Sequence, residues 1–257
     1  MQTSESEQPK LINNKSTIKI NNETIGQTAE AALCNVANVS CSIDASRINL
    51  DIKKKIEDKL SLDNITSRLP SPIKSSVGYK NDSVDFILEN GEKLSLKTLK
   101  NNTGKICPQN TGQPTYKSWD NKFNHSSWEG KKVHNPDRWI WIKQNIHQHL
   151  NLQLKNTFCC DWLILIKNCN HQNMDIKLYS KKDLEDKLNY FTNQPIYFTR
   201  DEYEEKWNEK KQKYSEFSSC VKFNHNDESI TIGEFQFHKS SRQQIKFRFF
   251  EKFLNII

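Results

Sequence analysis

Glycine and proline are scarce, with seven of each in 257 residues. Asn, Lys and Ile are abundant instead, a pattern that matches codon bias in an AT-rich genome, so a single Lys or Asn carries little information. Hydrophobic residues make up 35%, below the globular average, but aromatics reach 10% with six Trp and thirteen Phe. That balance excludes disorder and supports a packed core under a very polar surface. No apolar run approaches membrane length. The longest, WLILI at 162–166, fits a buried strand and excludes a membrane span. The start, MQTSESEQPK, is polar and acidic and lacks the pattern of a signal peptide. Seven cysteines are an odd number, and none form a CxxC pair. Cys159 and Cys160 are adjacent and poorly placed to share a disulfide. Cys169-Asn170-His171 and His147/His149 lack a second pair at ligand spacing, which argues against zinc. These absences predict reduced thiols and a cytoplasmic location. One further absence is local: no acid stands between Glu92 and Asp120.

What the chain has begins with charge. The net value is +7, which favours a polyanionic partner, nucleic acid above all, or is an incidental balance. In order, residues 1–20 are expected to be a flexible N-terminal segment. Residues 21–39 repeat apolar positions at helical spacing, with Asn22 or Thr24 able to cap the start. Gly26, Ala29, Ala31, Ala32 and Ala37 would let that helix pack closely on a sheet. Glu30 falls among them, either at the rim of the apolar stripe or aimed at a site. Residues 46–62 predict a second amphipathic helix whose Lys53-Lys54-Lys55 face is solvated, ended by Arg68-Leu69-Pro70-Ser71-Pro72.

The stretch VDFILENGEKLSLKTL, residues 84–99, predicts a β-hairpin turning at Asn90-Gly91. Alternation places Asp85, Ile87 and Glu89 on one face of the first strand, and Lys93, Ser95 and Lys97 on one face of the second. A register pairing Glu89 with Lys93 sets Asp85 opposite Lys97, with Cβ atoms about 5 Å apart. A carboxylate beside an ammonium is either a surface salt bridge or the start of a site for a cation and a hydrolytic water. The acid-free run after the hairpin is rich in Lys, Asn, Gln and Thr, which suits phosphate and base-edge contacts or an exposed loop. The His-rich stretch 119–135 lacks the spacing of an HNH nuclease. Residues 136–154 predict one helix with Pro136 near its start, Trp139, Ile142, Ile146 and Leu150 buried, and His147 and His149 at the surface. Strands follow at 158–168 and 174–180, then a short helix, and a long charged helix at 200–217. A hairpin around Asn226-Asp227 and a basic strand with Arg242, Lys246 and Arg248 on one face close the chain. The order predicts an α/β fold, a mixed central β-sheet flanked by helices, in one domain.

Glu30 on an early helix, Asp85 on a strand and Ser95-Leu96-Lys97 on the next strand together resemble the PD-(D/E)xK nuclease superfamily. More narrowly, TIGQTAEAALCNVANV, DFILENGEKLSLKTLKNNTGKICPQNTGQPT and EFQFHKSSRQQIKFRFFEKFL resemble type II restriction endonucleases. The resemblance implies a restriction-endonuclease-like core over 21–257, with DNA-recognition elements in 98–135 and 220–257. It implies a site-specific, Mg²⁺-dependent hydrolase of double-stranded DNA from a restriction-modification system. Asp85 would be the main Mg²⁺ ligand, Lys97 would orient the attacking water, and Glu30 would complete the metal shell. The main-chain carbonyl of Leu96 could add an oxygen. Ser95 stands where the family has an acid, and Val84 where it has proline. Lys93-Leu94-Ser95-Leu96-Lys97 is similar to a K-x-S-x-K variant that recovers its acid from elsewhere, here Glu30. Glu89 and Glu92 lie at the turn, away from Lys97. DNA contacts are expected from Lys100, Asn101, Asn102, Lys105, Gln109, Gln113, Lys117, Arg242, Lys246 and Arg248. A palindromic target would call for a homodimer. The alternatives are a nucleic-acid-binding module of the same fold that has lost catalysis, with Ser95 as the sign, and an interaction protein of incidental charge.

Overall fold

The computed structural model describes residues 20–77, 84–100, 104–107, 114–123, 134–169, 173–238, 243–251 and 254. The segment 1–19, and Asn101, Asn102, Gln109, Gln113, His125 and Arg242, lie outside the described residues.

The chain opens with helix α1 (Asn22–Val36) and helix α2 (Leu50–Leu62). Asn21, one residue before the expected caps, starts α1 by accepting the Thr24 N–H at 2.8 Å. Ala29 and Ala32 are fully buried, so the helix lies close on the sheet behind it. Asn49 caps α2, and Ile52, Ile56 and Leu60 form its buried face. The outer face carries the i,i+4 pairs Lys53–Glu57, Lys54–Asp58 and Lys59–Asp63, the solvated lysine face that the sequence implied.

Next come β1 (Ile73–Ser76), β2 (Phe86–Leu88), β3 (Lys93–Leu99) and β4 (Lys105–Ile106). Helices α3 (Tyr116–Lys122), α4 (Asn135–Gln144) and α5 (Ile146–Thr157) follow. After them stand β5 (Trp162–Lys167), β6 (Asp175–Ser180) and α6 (Lys181–Thr192). The last third holds β7 (Tyr197–Phe198), β8 (Trp207–Asn208), β9 (Lys213–Tyr214), β10 (Phe217–His225), β11 (Glu228–His238) and β12 (Gln244–Phe250).

The first sheet has five strands in the order β1-β2-β3-β5-β6. It is mixed: β3 and β5 run parallel and the other neighbours antiparallel. Even-numbered residues Leu94, Leu96, Ile164 and Ile166 pack against α1 and α2. Odd-numbered Leu99, Leu163 and Leu165 face a second core shared with α4, α5 and a second sheet. The single mixed sheet expected from the sequence is therefore only the first half. The C-terminal strands form their own antiparallel sheet, ordered β4-β12-β11-β10-β7. Alternation sends Phe217, Phe223, Phe235, Phe237, Phe247 and Phe249 inward, and Trp139 of α4 packs edge-on against Phe217 and Phe235.

Further expectations change. The charged stretch 200–217 is not a long helix: β8 and β9 pair there, joined by a 3₁₀ turn, and Trp207 and Tyr214 meet edge to face. Its charges lack a buried stripe to hold a helix against the core. The helix expected over 136–154 is two, broken at Asn145, whose side-chain amide takes the Trp141 carbonyl at 2.9 Å. His149 is buried, not superficial. Its Nε2 accepts the Trp119 indole N–H at 3.3 Å, and burial lowers its pKa to about 3, so it is a neutral core residue.

The hairpin forms in a different register. Phe86 pairs with Leu94 and Ile87 with Lys93, which shifts β3 by two residues from the expected alignment. The Leu88 N–H reaches the Glu92 carbonyl at 2.9 Å and the Gly91 N–H reaches Leu88 at 3.0 Å. Gly91 alone takes a positive φ, +86°, so Glu89-Asn90-Gly91 is a three-residue loop with glycine in the left-handed position. A shift of two preserves the faces, so Asp85 stays beside the expected residues but faces Ser95.

Candidate active site

Asp85 stands just before the first residue of β2, and its carbonyl accepts the Val77 N–H at 3.0 Å. Its N–H still bonds the Leu94 carbonyl at 3.1 Å, which fixes the backbone against β3. The side chain covers the stretch of β3 that β2 does not pair. Asp85 Oδ2 accepts the Leu96 N–H at 2.6 Å and the Ser95 hydroxyl at 2.9 Å. Lys97 Nζ stands 3.6 Å from the same oxygen. Both charged side chains are 16% exposed, so the pair is reachable from solvent but only partly screened by it. In an extended strand the N–H and C=O of one residue point to the same edge, so the Leu96 carbonyl shares the Asp85 side of β3.

Glu30 joins this group from α1. Its carboxyl is raised to about 7, first by burial, then by the negative charge of Asp85, with Lys97 opposing. The helix glutamate thus senses both members of the strand pair, which a residue at the solvated rim would not. Two carboxylates held in mutual repulsion, with one lysine between them in sign, form a site that a cation would relax. Glu92, by contrast, accepts the Trp162 indole N–H at 2.7 Å, and Glu89 is exposed at the turn.

Ser95 is 1% exposed and spends its hydroxyl on Asp85. It positions the aspartate and offers no anionic ligand of its own. The donors that remain are Asp85, Glu30 and the Leu96 carbonyl, all hard oxygens. No group of three His, Cys, Asp or Glu side chains able to hold a metal occurs among the described residues. So small a set of hard oxygen donors fits Mg²⁺, which keeps several waters and takes one or two carboxylates. It does not fit zinc.

Cys160 is the neighbour that sequence reasoning passed over. It is 2% exposed, hydrogen-bonded to the Ser95 backbone and near Lys97, and burial pushes its thiol up to about 12. It is a neutral packing group beneath the site. Its position just before WLILIK, the strand parallel to β3, was the available signal.

The described DNA-contact candidates divide. Lys100 and Lys117 are exposed. Lys105 is tied to Glu234 at 2.5 Å and sits over the Phe250 ring. Lys246 and Arg248 share the outer face of β12, as alternation required. All seven cysteines are free thiols, and no described helix is long and apolar enough to cross a membrane.

Comparison with known proteins points to one class, the type II restriction enzymes. One similar protein is CviAII of Paramecium bursaria Chlorella virus 1, described as a type II restriction enzyme. It is 34% identical over 173 residues, 67% of this chain and 43% of the relative, so the chain spans less than half that protein's length. No family model matches the chain. No solved structure matches it either.

Proposed function

We propose that this chain is a site-specific, Mg²⁺-dependent endonuclease of double-stranded DNA, of the type II restriction class and the PD-(D/E)xK superfamily. The observation that carries the reading is the meeting of Asp85, Lys97 and Glu30 beside an unpaired stretch of β3. The similarity to a protein named as a type II restriction enzyme supports the same class.

In this reading Asp85 and Glu30 hold the metal with the Leu96 carbonyl. Ser95 and the Leu96 N–H hold Asp85 in one rotamer, so the carboxylate does not reorganise during the reaction. Lys97 orients the attacking water and carries positive charge toward the phosphate as its negative charge grows. Bound Mg²⁺ would lower the pKa of water and neutralise charge on the scissile phosphate. The product is a cleaved phosphodiester. A palindromic target and a homodimer fit this class, as does a cytoplasmic location.

Digestion of a mapped plasmid with purified protein and Mg²⁺, followed by sequencing of the ends, tests the proposal. Discrete ends at one short sequence are expected. Asp85→Ala and Lys97→Ala should lose cutting by about a thousandfold or more while still binding duplex. Cutting by either variant at the wild-type rate would remove that residue from the site. One observation favours a second reading: Ser95 supplies no acid, and among the described residues no third ligating side chain completes the set. A DNA-binding module without catalysis would bind duplex with strong salt dependence and leave the plasmid intact at every Mg²⁺ concentration.

A further inference from the structure

Between Lys206 and Ser215 the chain doubles back on itself as a short ribbon. Trp207 of β8 pairs with Tyr214 of β9, and Asn208 pairs with Lys213. Below these rungs the Ser215 N–H reaches the Lys206 carbonyl at 2.7 Å. The Gln212 side-chain amide closes the turn, donating to the Glu209 carbonyl at 2.8 Å. Among the described residues the ribbon joins neither five-stranded sheet.

Its aromatic pair is open to solvent. Trp207 is 50% exposed and Tyr214 is 59% exposed. Their rings meet edge to face at 5.1 Å, and neither belongs to either hydrophobic core. Cross-strand pairing accounts for their contact with each other. It does not account for the ring surface left in water, which a partner would cover.

Charge selects the partner. Residues 206–214 carry Lys206, Lys210, Lys211 and Lys213 against a single acid, Glu209. Three of the five acids that flank the ribbon are already engaged. Glu204 stands 3.7 Å from both Arg200 and Lys206, Glu205 accepts the Tyr203 hydroxyl at 2.5 Å, and Glu216 holds His238 at 2.7 Å. The Lys206–Glu204 contact is open to solvent at both ends, so it restrains Lys206 weakly. Lysines around an open aromatic pair call for a polyanion that shows apolar surface between its charges. DNA has both: phosphates for the lysines, and sugar and base surface for the rings.

We propose that the β8–β9 ribbon packs along the bound duplex, with Lys206 and Lys210 on phosphates and Trp207 and Tyr214 over the sugar and base surface between them. The proposal rests on the DNA endonuclease reading. It assigns the ribbon to affinity and placement on the duplex, since phosphate contacts position a protein without reading its sequence. The ribbon lies outside both stretches from which DNA-recognition elements were expected.

Binding of the full chain to a fluorescent duplex is measured over a salt series without Mg²⁺, and cut sites are mapped separately with Mg²⁺. Lys206→Ala and Lys210→Ala should each weaken binding to all sequences alike and reduce the salt slope by about one, at an unchanged cut site. Trp207→Ala should weaken binding about tenfold at an unchanged slope. Lys210 lies in the turn, outside the paired residues, so its variant carries the test if the Trp207 variant melts early. Lys54→Ala, on the solvated face of α2, should leave the slope as it is. An equal drop in that variant would show that the slope reads net charge alone and would overturn the assignment. Folded ribbon variants with wild-type affinity and slope would overturn it too, leaving the endonuclease reading intact. So would ribbon variants that change only self-association, since the aromatic pair would then be a protein interface. A wild-type protein that neither cuts nor binds any duplex would fail the endonuclease reading itself.

Discussion

Glu30 holds its proton more tightly in the folded protein than in the unfolded chain, with a pKa of about 7 against an ordinary 4.5. Its contribution is complete below about pH 4.5 and is lost as pH rises toward 7, because the fold must then accommodate a half-buried carboxylate beside Asp85. Glu30→Gln should therefore melt a few degrees higher than the wild type at pH 8, a gain of about 1–3 kcal/mol after allowing for solvent, shrinking to nothing near pH 4.5. Added Mg²⁺ should raise the melting temperature of the wild type and not of the variant. A difference that stays constant with pH, measured by thermal unfolding, would separate the stability effect from the charge. Ser95→Ala removes one hydrogen bond to an ionised group, so cutting should slow by about tenfold or more while Ser95→Thr retains most of the rate. Strand alternation made it legible that Asp85, Ser95 and Lys97 share one face; that Glu30 of α1 lies close enough to feel both charges is a finding of the structure. The work of Ser95 was not legible: spacing shows that an acid is missing but not that a hydroxyl holds Asp85 in place. Nor did sequence reveal that His149 is buried, since its indole partner lies 30 residues earlier.

At the scale of elements, turns decide the outcome. Asn90-Gly91 marked the hairpin correctly, but loop length is set by one backbone position. With only Gly91 left-handed, the closing pair moves and β3 slides two residues. The hairpin at Asn226-Asp227 behaves as its sequence suggests, both residues taking positive φ of 48° and 65°. Gly233 is a different case, unmarked by any turn signal. The β10–β11 register skips from Val221↔Gly233 to Lys222↔Thr231, a bulge that admits Ile232 as an extra residue. A Cβ on Gly233 would lie 2.5 Å from the Phe247 ring and 2.7 Å from the Arg248 carbonyl oxygen. Backbone cannot give way there, so Gly233→Ala should cost about 1–3 kcal/mol by overpacking and displace Arg248. Denaturant unfolding reads the cost; an unchanged midpoint would mean that the strand shifts freely. The stretch 200–217 shows the opposite failure. Dense charge suggested a helix, but no periodic apolar stripe stood behind it, and short strand pairing prevailed.

Among the described residues two five-stranded sheets meet over one aromatic core, beside the small β8-β9 pair, with a second, aliphatic core beneath α1 and α2. Alternating strands and amphipathic helices made the α/β class legible. The division into two sheets was not, because it depends on which strands β12 and β3 choose as neighbours. The buried Lys167 links the two, pairing with Asp175 and with Glu251, each at 3.0 Å. The second sheet has interior strands of nine, eleven and seven residues, yet its edge strands β4 and β7 are two residues each. At its Phe249–Phe250 end the outer edge of β12 is covered by β4, whose Ile106 side chain anchors it in the core, while Pro114 and Thr115 meet the other end. Unpinning β4 would bare that part of the β12 edge as a template for another chain. Ile106→Asp should remain largely folded at high dilution but scatter light increasingly as concentration rises, and a variant that stays monodisperse at high concentration would show that the edge is guarded elsewhere. A strand of two residues is in that sense the sheet's colloidal safeguard.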